Sequence, residues 1–317
     1  MSVSVLFHFA FDPASRAARL ALGEAKVAFE ENAVKPWEPD CPVGALNPSG
    51  MTPVLQTTAN SRVLTVCEQS AILGWLEDRT KDAFLLPTDP FERAETRRLV
   101  GWFDRRFTDE VDAVLLHERM EKPLLRLGPP EARALRAGRE ALKHHLMMME
   151  RLLGERDWLA GRRMSQADLV AAAHLSVLDY FSEIGWANYP GLKTWYMKLK
   201  SRPCFRTLLS DRFPGVAPAA HYTDLDFWAH GRDRPENARS RPEWPTPETR
   251  SEPPQRTSAS RSVASPRPRS LGAQGSGWRI SSRPDGMATW AGWRRRWSAA
   301  PTRPPCGTGR RRPSCWG

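Results

Sequence analysis

Two rhythms of apolar and polar positions divide the chain. Over the first 80 or so residues, short apolar runs alternate with helical stretches in the order β-α-β-α-β-β-α. Ser4-Val5-Leu6-Phe7-His8-Phe9 reads as a short strand. A helix follows, with Asp12 in the N-cap position, Pro13 at its first position, and Ala17, Leu20 and Ala21 on its apolar side. Val27 to Val34 predicts a second strand, and Ala45-Leu46-Asn47-Pro48 a helical turn stopped by proline. Pro53 to Thr57 and Arg62 to Val66 read as a hairpin around Ala59-Asn60-Ser61. A helix over Glu68 to Arg79 turns Ile72, Leu73 and Leu76 inward.

Beyond a linker near Asp78–Asp89 the rhythm is helical only. Leu99, Phe103, Phe107, Val111 and Val114 recur every three or four residues, the period of one helix face. Leu142, Leu146, Met149 and Leu153 do the same after the break at Gly128-Pro129-Pro130. Ser165 and Asp168 open a third helix with a capping box, and Val170, Ala173, Val177 and Phe181 form its buried stripe. Shorter helices are expected over Gly191–Lys200 and Pro203–Leu209. The expected organisation is an α/β domain over residues 1–80, a linker over 81–89, and an all-helical domain over 90–227.

After Phe227 no apolar period survives. Residues 229–317 hold one Ile, one Leu and one Val, and such a segment cannot bury enough surface to offset its ordering entropy. Residues 228–317 are therefore expected to be a disordered tail rich in Arg, Pro and Ser. They also hold the charge. From Ala229 onward 18 Arg face 6 acids, a surplus of 12, which leaves the first 228 residues at −1 of the chain's +11. The globular part is thus nearly neutral, and total charge is no argument for nucleic-acid binding. Arg294-Arg295-Arg296-Trp297 is the one stretch suited to phosphate, and we read it as tail composition. The six Trp of that tail, with Arg, Pro, Gly and Ser, are residues of GC-rich codons and fit an out-of-frame reading.

No run of about 18 apolar residues exists, so no membrane span is expected. The N-terminus shows no basic region ahead of a long apolar stretch, so no secretory signal is expected either. Cys41, Cys67, Cys204, Cys306 and Cys315 show no paired metal spacing, and their odd number and scatter fit a reducing compartment, the cytoplasm. His144 and His145 are adjacent, so they cannot form a metal pair on one helix face and read as solvated. Trp102, Phe103 and Trp158 read as core. Phe7, Phe9 and Phe11 read equally as strand packing or as the lining of an apolar site.

The chemistry concentrates at Gly50-Met51-Thr52-Pro53-Val54-Leu55 and Glu68-Gln69-Ser70-Ala71-Ile72. Proline keeps the residue before it extended, so the Thr52 backbone can pair with a ligand backbone. The free N–H groups of the helix start can hold a carboxylate, and Glu68 can hold an ammonium. Together these suit a small zwitterionic peptide. Asp12-Pro13-Ala14-Ser15-Arg16, Leu46-Asn47-Pro48 through Pro53, Glu68-Gln69-Ser70, and Leu159-Ala160-Gly161 through Asp168 resemble, in this order, the glutathione S-transferase superfamily. The likeness spans about residues 3–210 and is nearest to bacterial members of theta, zeta and beta type.

The resemblance implies a thioredoxin-like N-terminal domain, an all-α C-terminal domain, a homodimer, and a cleft between the two domains. It implies a cis peptide at Pro53, glutathione as co-substrate on Thr52, Pro53, Glu68 and Gln69, and a small apolar electrophile as acceptor. No metal is implied. One position departs from the family. Where the family places a hydroxyl or thiol beside the glutathione sulfur, this chain has Asp12, and Ser15 is the nearest hydroxyl. Three outcomes follow. Ser15 activates the thiol, a protonated Asp12 donates to it, or the protein binds without efficient catalysis. The expected activity is glutathione conjugation, with a non-catalytic binding or interaction protein as the alternative.

Resequencing the locus tests the out-of-frame reading of the tail. We expect an uncertain frame near codon 228; an intact frame, with this tail seen by mass spectrometry, contradicts it.

Overall fold

The structure, a computed structural model, describes residues 4–59, 62–79 and 85–225. The tail, the hairpin tip at Asn60-Ser61 and residues 81–84 of the expected linker lie outside the described residues.

The N-terminal half is an α/β unit. Strands β1 (Ser4–His8), β2 (Phe29–Ala33), β3 (Val54–Ala59) and β4 (Arg62–Cys67) form one sheet in the order β2-β1-β3-β4. β1 runs parallel to β2 and antiparallel to β3, and β4 closes the hairpin antiparallel to β3. This is the thioredoxin-like arrangement. The parallel pair needs a crossover, and α1 (Pro13–Glu24) supplies it. β2 is shorter than its apolar run suggests: the Val27 amide donates to the Leu22 carbonyl in the turn after α1, and the Val34 amide donates across to the His8 carbonyl at the end of β1. Between β2 and β3 lies α2, one turn over Val43–Leu46, which ends before Pro48 as expected. Helix α3 covers Gln69–Arg79 with Ile72, Leu73 and Leu76 buried.

The second half is helical throughout. Helix α4 (Pro90–Gly101) is capped by Asp89, whose carboxylate accepts from the amides of Phe91 and Glu92, both at 2.9 Å. It runs on through a π-helical stretch, Trp102–Asp112, into α5 (Ala113–Leu116), a second π-helical turn, His117–Glu121, and α6 (Lys122–Leu125). Phe103, Phe107 and Val111 are fully buried, as their spacing predicts. After the Gly-Pro-Pro break comes α7 (Ala132–Glu155), then α8 (Gln166–Tyr180), α9 (Pro190–Lys200) and α10 (Arg206–Ser210).

α8 is the buried centre of the helical half. All fifteen of its residues are buried, so it is surrounded on every side, and its polar side chains must find partners inside the protein. Its polar start is held at Asp168. One carboxylate oxygen accepts from the Ser165 amide and hydroxyl at 2.8 and 2.9 Å, the other from the Leu159 amide and the Trp195 indole at 3.0 and 2.8 Å. These donors match what a buried carboxylate requires. No described helix is long and apolar enough to cross a membrane.

One continuous core joins the halves. The seam beside α1 is polar, which periodicity did not predict. Arg16 is fully buried; it donates to the Ala10 carbonyl at 2.7 Å, Ser176 Oγ at 2.8 Å, the Tyr222 hydroxyl at 3.1 Å and the Asp211 carboxylate at 3.3 Å. Its guanidinium also lies over the Phe11 ring, 4.7 Å from the centroid. Arg19, one turn on, meets Asp211 at 2.7 Å and Glu31 at 2.9 Å. Burial works against the Arg19 charge, and the Asp211 and Glu31 carboxylates more than offset it, holding its pKa above the ordinary value.

His145 corrects the reading of a solvated pair. His144 is exposed, whereas His145 is buried, accepting from the Trp102 indole at 3.0 Å and meeting Glu110 at 3.0 Å. Its neighbours come from other turns, so sequence adjacency carried no sign of them.

Asp211→Ala leaves two buried guanidinium groups without their shared carboxylate. It should cost about 3–5 kcal/mol, read as a lower urea midpoint at unchanged slope. Removing the exposed Lys35–Glu38 pair should leave the urea midpoint nearly unchanged. Equal effects from both would contradict this picture of the seam.

Candidate functional site

Five chain segments meet in a cavity of about 240 Å³. The start of α1 brings Asp12, Pro13 and Ala14. The turns before β3 and α3 bring Met51, Thr52, Glu68, Gln69 and Ser70. The helical half brings Asp104, Thr108 and Asp112, with His174 from α8. The Thr52–Pro53 peptide is cis, and Glu68 sits at φ +72° at the head of α3.

Asp12 organises the α1 wall. Its Oδ1 accepts from the Ala14 amide at 3.3 Å. Its Oδ2 accepts three times: from the Ser15 amide at 3.1 Å, the Ser15 hydroxyl at 2.7 Å and the Thr52 hydroxyl at 2.9 Å. The carboxylate is therefore both the helix cap and a tie to the Thr52 turn. It is 2% exposed, yet lines the cavity. Ser15 is 0% exposed and does not line it. The Ser15 hydroxyl gives its proton to Asp12 and accepts from the Phe9 amide at 3.4 Å. A hydroxyl has one proton to donate, so in this arrangement none remains for a ligand.

Thr52, Glu68 and Gln69 do come together, with Pro53 buried behind them. Glu68 is exposed at the rim and accepts from the Ser49 hydroxyl at 3.3 Å. Gln69 points inward instead. It is 4% exposed, and its Nε2 donates to Asp104 Oδ1 at 2.9 Å, tying α3 to the helical half. Its Oε1 accepts no hydrogen bond.

The helical half contributes what the sequence reading missed. Asp104, Thr108 and Asp112 follow each other every four residues, one step behind the apolar Phe103–Phe107–Val111 stripe. A polar stripe shadowing an apolar one was the available signal. Asp112 is fully buried; its Oδ2 meets His174 Nδ1 at 2.5 Å, while its Oδ1 has no hydrogen-bond partner. Burial pushes the Asp112 carboxyl above the usual range; His174 pulls it down, and the charge of Asp12 adds to the rise.

Four carboxylates and one imidazole thus line the cavity, and among the described residues no lysine, arginine, phenylalanine, tyrosine or tryptophan does. Phe11 is packed among Tyr180, Phe181 and Phe213, and Phe9 lies edge-on to Trp37. Among the described residues no cluster suits a metal ion.

Comparison with known proteins gives the class. Residues 13–79 match the glutathione S-transferase N-terminal domain, and residues 129–212 match its C-terminal domain. The chain belongs to the glutathione S-transferase superfamily. Within it, the chain is 59% identical over 228 residues to FtsZ-localized protein A of Caulobacter vibrioides, covering 72% of this chain and 100% of that protein. The solved structure of FzlA from C. crescentus is similar at TM-score 0.69 with 58% identity, over 71% of this chain and 100% of that one. A glutathione S-transferase from Rhodospirillum rubrum is similar at TM-score 0.67 with 39% identity, over the same shares.

Asp12→Ala should remove a helix cap and leave the Ser15 and Thr52 hydroxyls without their shared acceptor. We expect a loss of about 2–4 kcal/mol by urea unfolding. Ser15→Ala, which leaves the other three donors in place, should cost about 1 kcal/mol. The reverse order would contradict the role of the carboxylate as organiser of this wall.

Proposed function

We propose that this chain is a binding protein on the glutathione transferase scaffold, that it localises with FtsZ, and that it does not conjugate glutathione. The observation that carries the reading is the Asp12 carboxylate at the head of α1, where the family places the group that activates the thiol. Two unit charges about 4 Å apart interact by about 4 kcal/mol at an effective dielectric near 20. A carboxylate at that distance would raise a thiol's pKa by about 3 units. A helix start that would otherwise favour thiolate is thereby turned against it. The likeness along the full length of FtsZ-localized protein A supports the same reading.

The cavity agrees in size and lining. Its volume of about 240 Å³ falls below the roughly 300–1,000 Å³ usual for small-molecule sites. It offers an apolar acceptor only the flanks of Pro13, Ala14 and Met51. Glutathione conjugation of a small apolar electrophile is the second reading, favoured by the meeting of Thr52, Glu68, Gln69 and Ser70 on one wall. A homodimer belongs to the proposal on the strength of the family resemblance, and a cytoplasmic location on the odd, scattered cysteines.

Localisation and turnover decide between them. A fluorescent fusion should follow FtsZ in dividing cells, and the purified chain should co-sediment with FtsZ filaments. Conjugation of glutathione to a generic aromatic halide should not exceed the spontaneous rate. Saturable turnover, with retention on immobilised glutathione that Glu68→Ala abolishes, would reverse the order of the two readings.

A further inference from the structure

The cavity lining sets four carboxylates against a single imidazole, His174, which meets one oxygen of Asp112. Asp12 is saturated by four hydrogen bonds. Asp112 is not, because one of its oxygens is buried without a partner. Gln69 Oε1 is a second such acceptor, on another residue that lines the cavity. Its orientation is not arbitrary. Turning the amide over would set its oxygen against the Asp104 carboxylate, which now accepts from the nitrogen.

An unsatisfied buried acceptor costs about 1–3 kcal/mol, more when charged. A water molecule would supply a hydrogen bond but no charge. An anion would be repelled by every carboxylate in the lining, and the described residues offer no metal cluster. The volume holds about eight waters at roughly 30 Å³ each, room for a side-chain head group. We propose that this cavity seats an organic cation with N–H donors, a guanidinium or alkylammonium, whose donors answer the buried Asp112 carboxylate and the Gln69 side-chain oxygen. The exposed carboxylates Glu68 and Asp104 stand at the rim, where they draw the cation in. The seat rests on the cavity alone and holds whether or not the chain follows FtsZ.

The test uses the full chain with N-acetyl-arginine methylamide, N-acetyl-lysine methylamide and the neutral isostere N-acetyl-citrulline methylamide. Calorimetry and the NMR signals of the His174 ring are the readouts. At least one cationic probe should bind saturably and move the His174 signals, and citrulline should do neither. Asp112→Asn should weaken binding by about tenfold or more. Should that variant misfold, Glu68→Gln, at an exposed site, should still weaken it about twofold. Citrulline binding as tightly as arginine, or cationic probes that leave His174 unmoved, would overturn the proposal. A glycine-serine peptide with one central arginine separates the sources. Tighter binding of the peptide assigns the cation to a partner's side chain, and equal binding assigns it to a small molecule; both keep the seat.

Discussion

One carboxylate at the head of α1 sets the terms for the rest. Asp12 accepts four hydrogen bonds, three of them on a single oxygen. Through Ser15 it closes the first turn of α1, and through Thr52 it fixes the turn that leads into β3. A hydroxyl or thiol in its place could serve the helix start and still offer a proton or a lone pair to a ligand sulfur. A carboxylate satisfies the helix by itself and brings a fixed negative charge to the cavity wall. Structural order and chemical capacity are thus set by the same atom pair.

The two ends of α1 do opposite kinds of work. Its head faces the cavity, while Arg16 and Arg19 hold its body against α8 and the segment carrying Asp211 and Tyr222. Gln69 makes the corresponding tie on the other side, from α3 to Asp104. The cavity lies between these anchors, so its walls belong to elements whose relative position is fixed by buried polar contacts. An acidic cavity of fixed lining elements follows. Such a site suits recognition of a positively charged group better than a reaction that must create and stabilise a thiolate.

The order of strands and helices was legible because it rests on local signals. Asp12-Pro13 marks a helix start, Pro53 opens a strand, and Ser165 with Asp168 caps α8, each within a few residues. The α1–β3–α3 wall of the site was legible for the same reason. The opposite wall was not. Asp104, Thr108 and Asp112 look like ordinary polar positions of an amphipathic helix, and nothing local says that α8 brings His174 to meet them. The burial of His145 and of Arg16 was hidden likewise, since, apart from Ala10 and Phe11 beside Arg16, their partners lie 35 to 206 residues away along the chain. The placement of Ser15 escaped because a first-turn hydroxyl reads alike whether it faces a ligand or its own cap.

The most direct measure of the central claim is the thiol titration of glutathione, followed by ultraviolet absorbance of the thiolate with the protein in excess. A cavity governed by the Asp12 charge should leave the thiol pKa at or above its value in free solution. A fall of one unit or more on adding the protein would mean that the site makes thiolate in spite of Asp12, and would contradict the control assigned to that carboxylate.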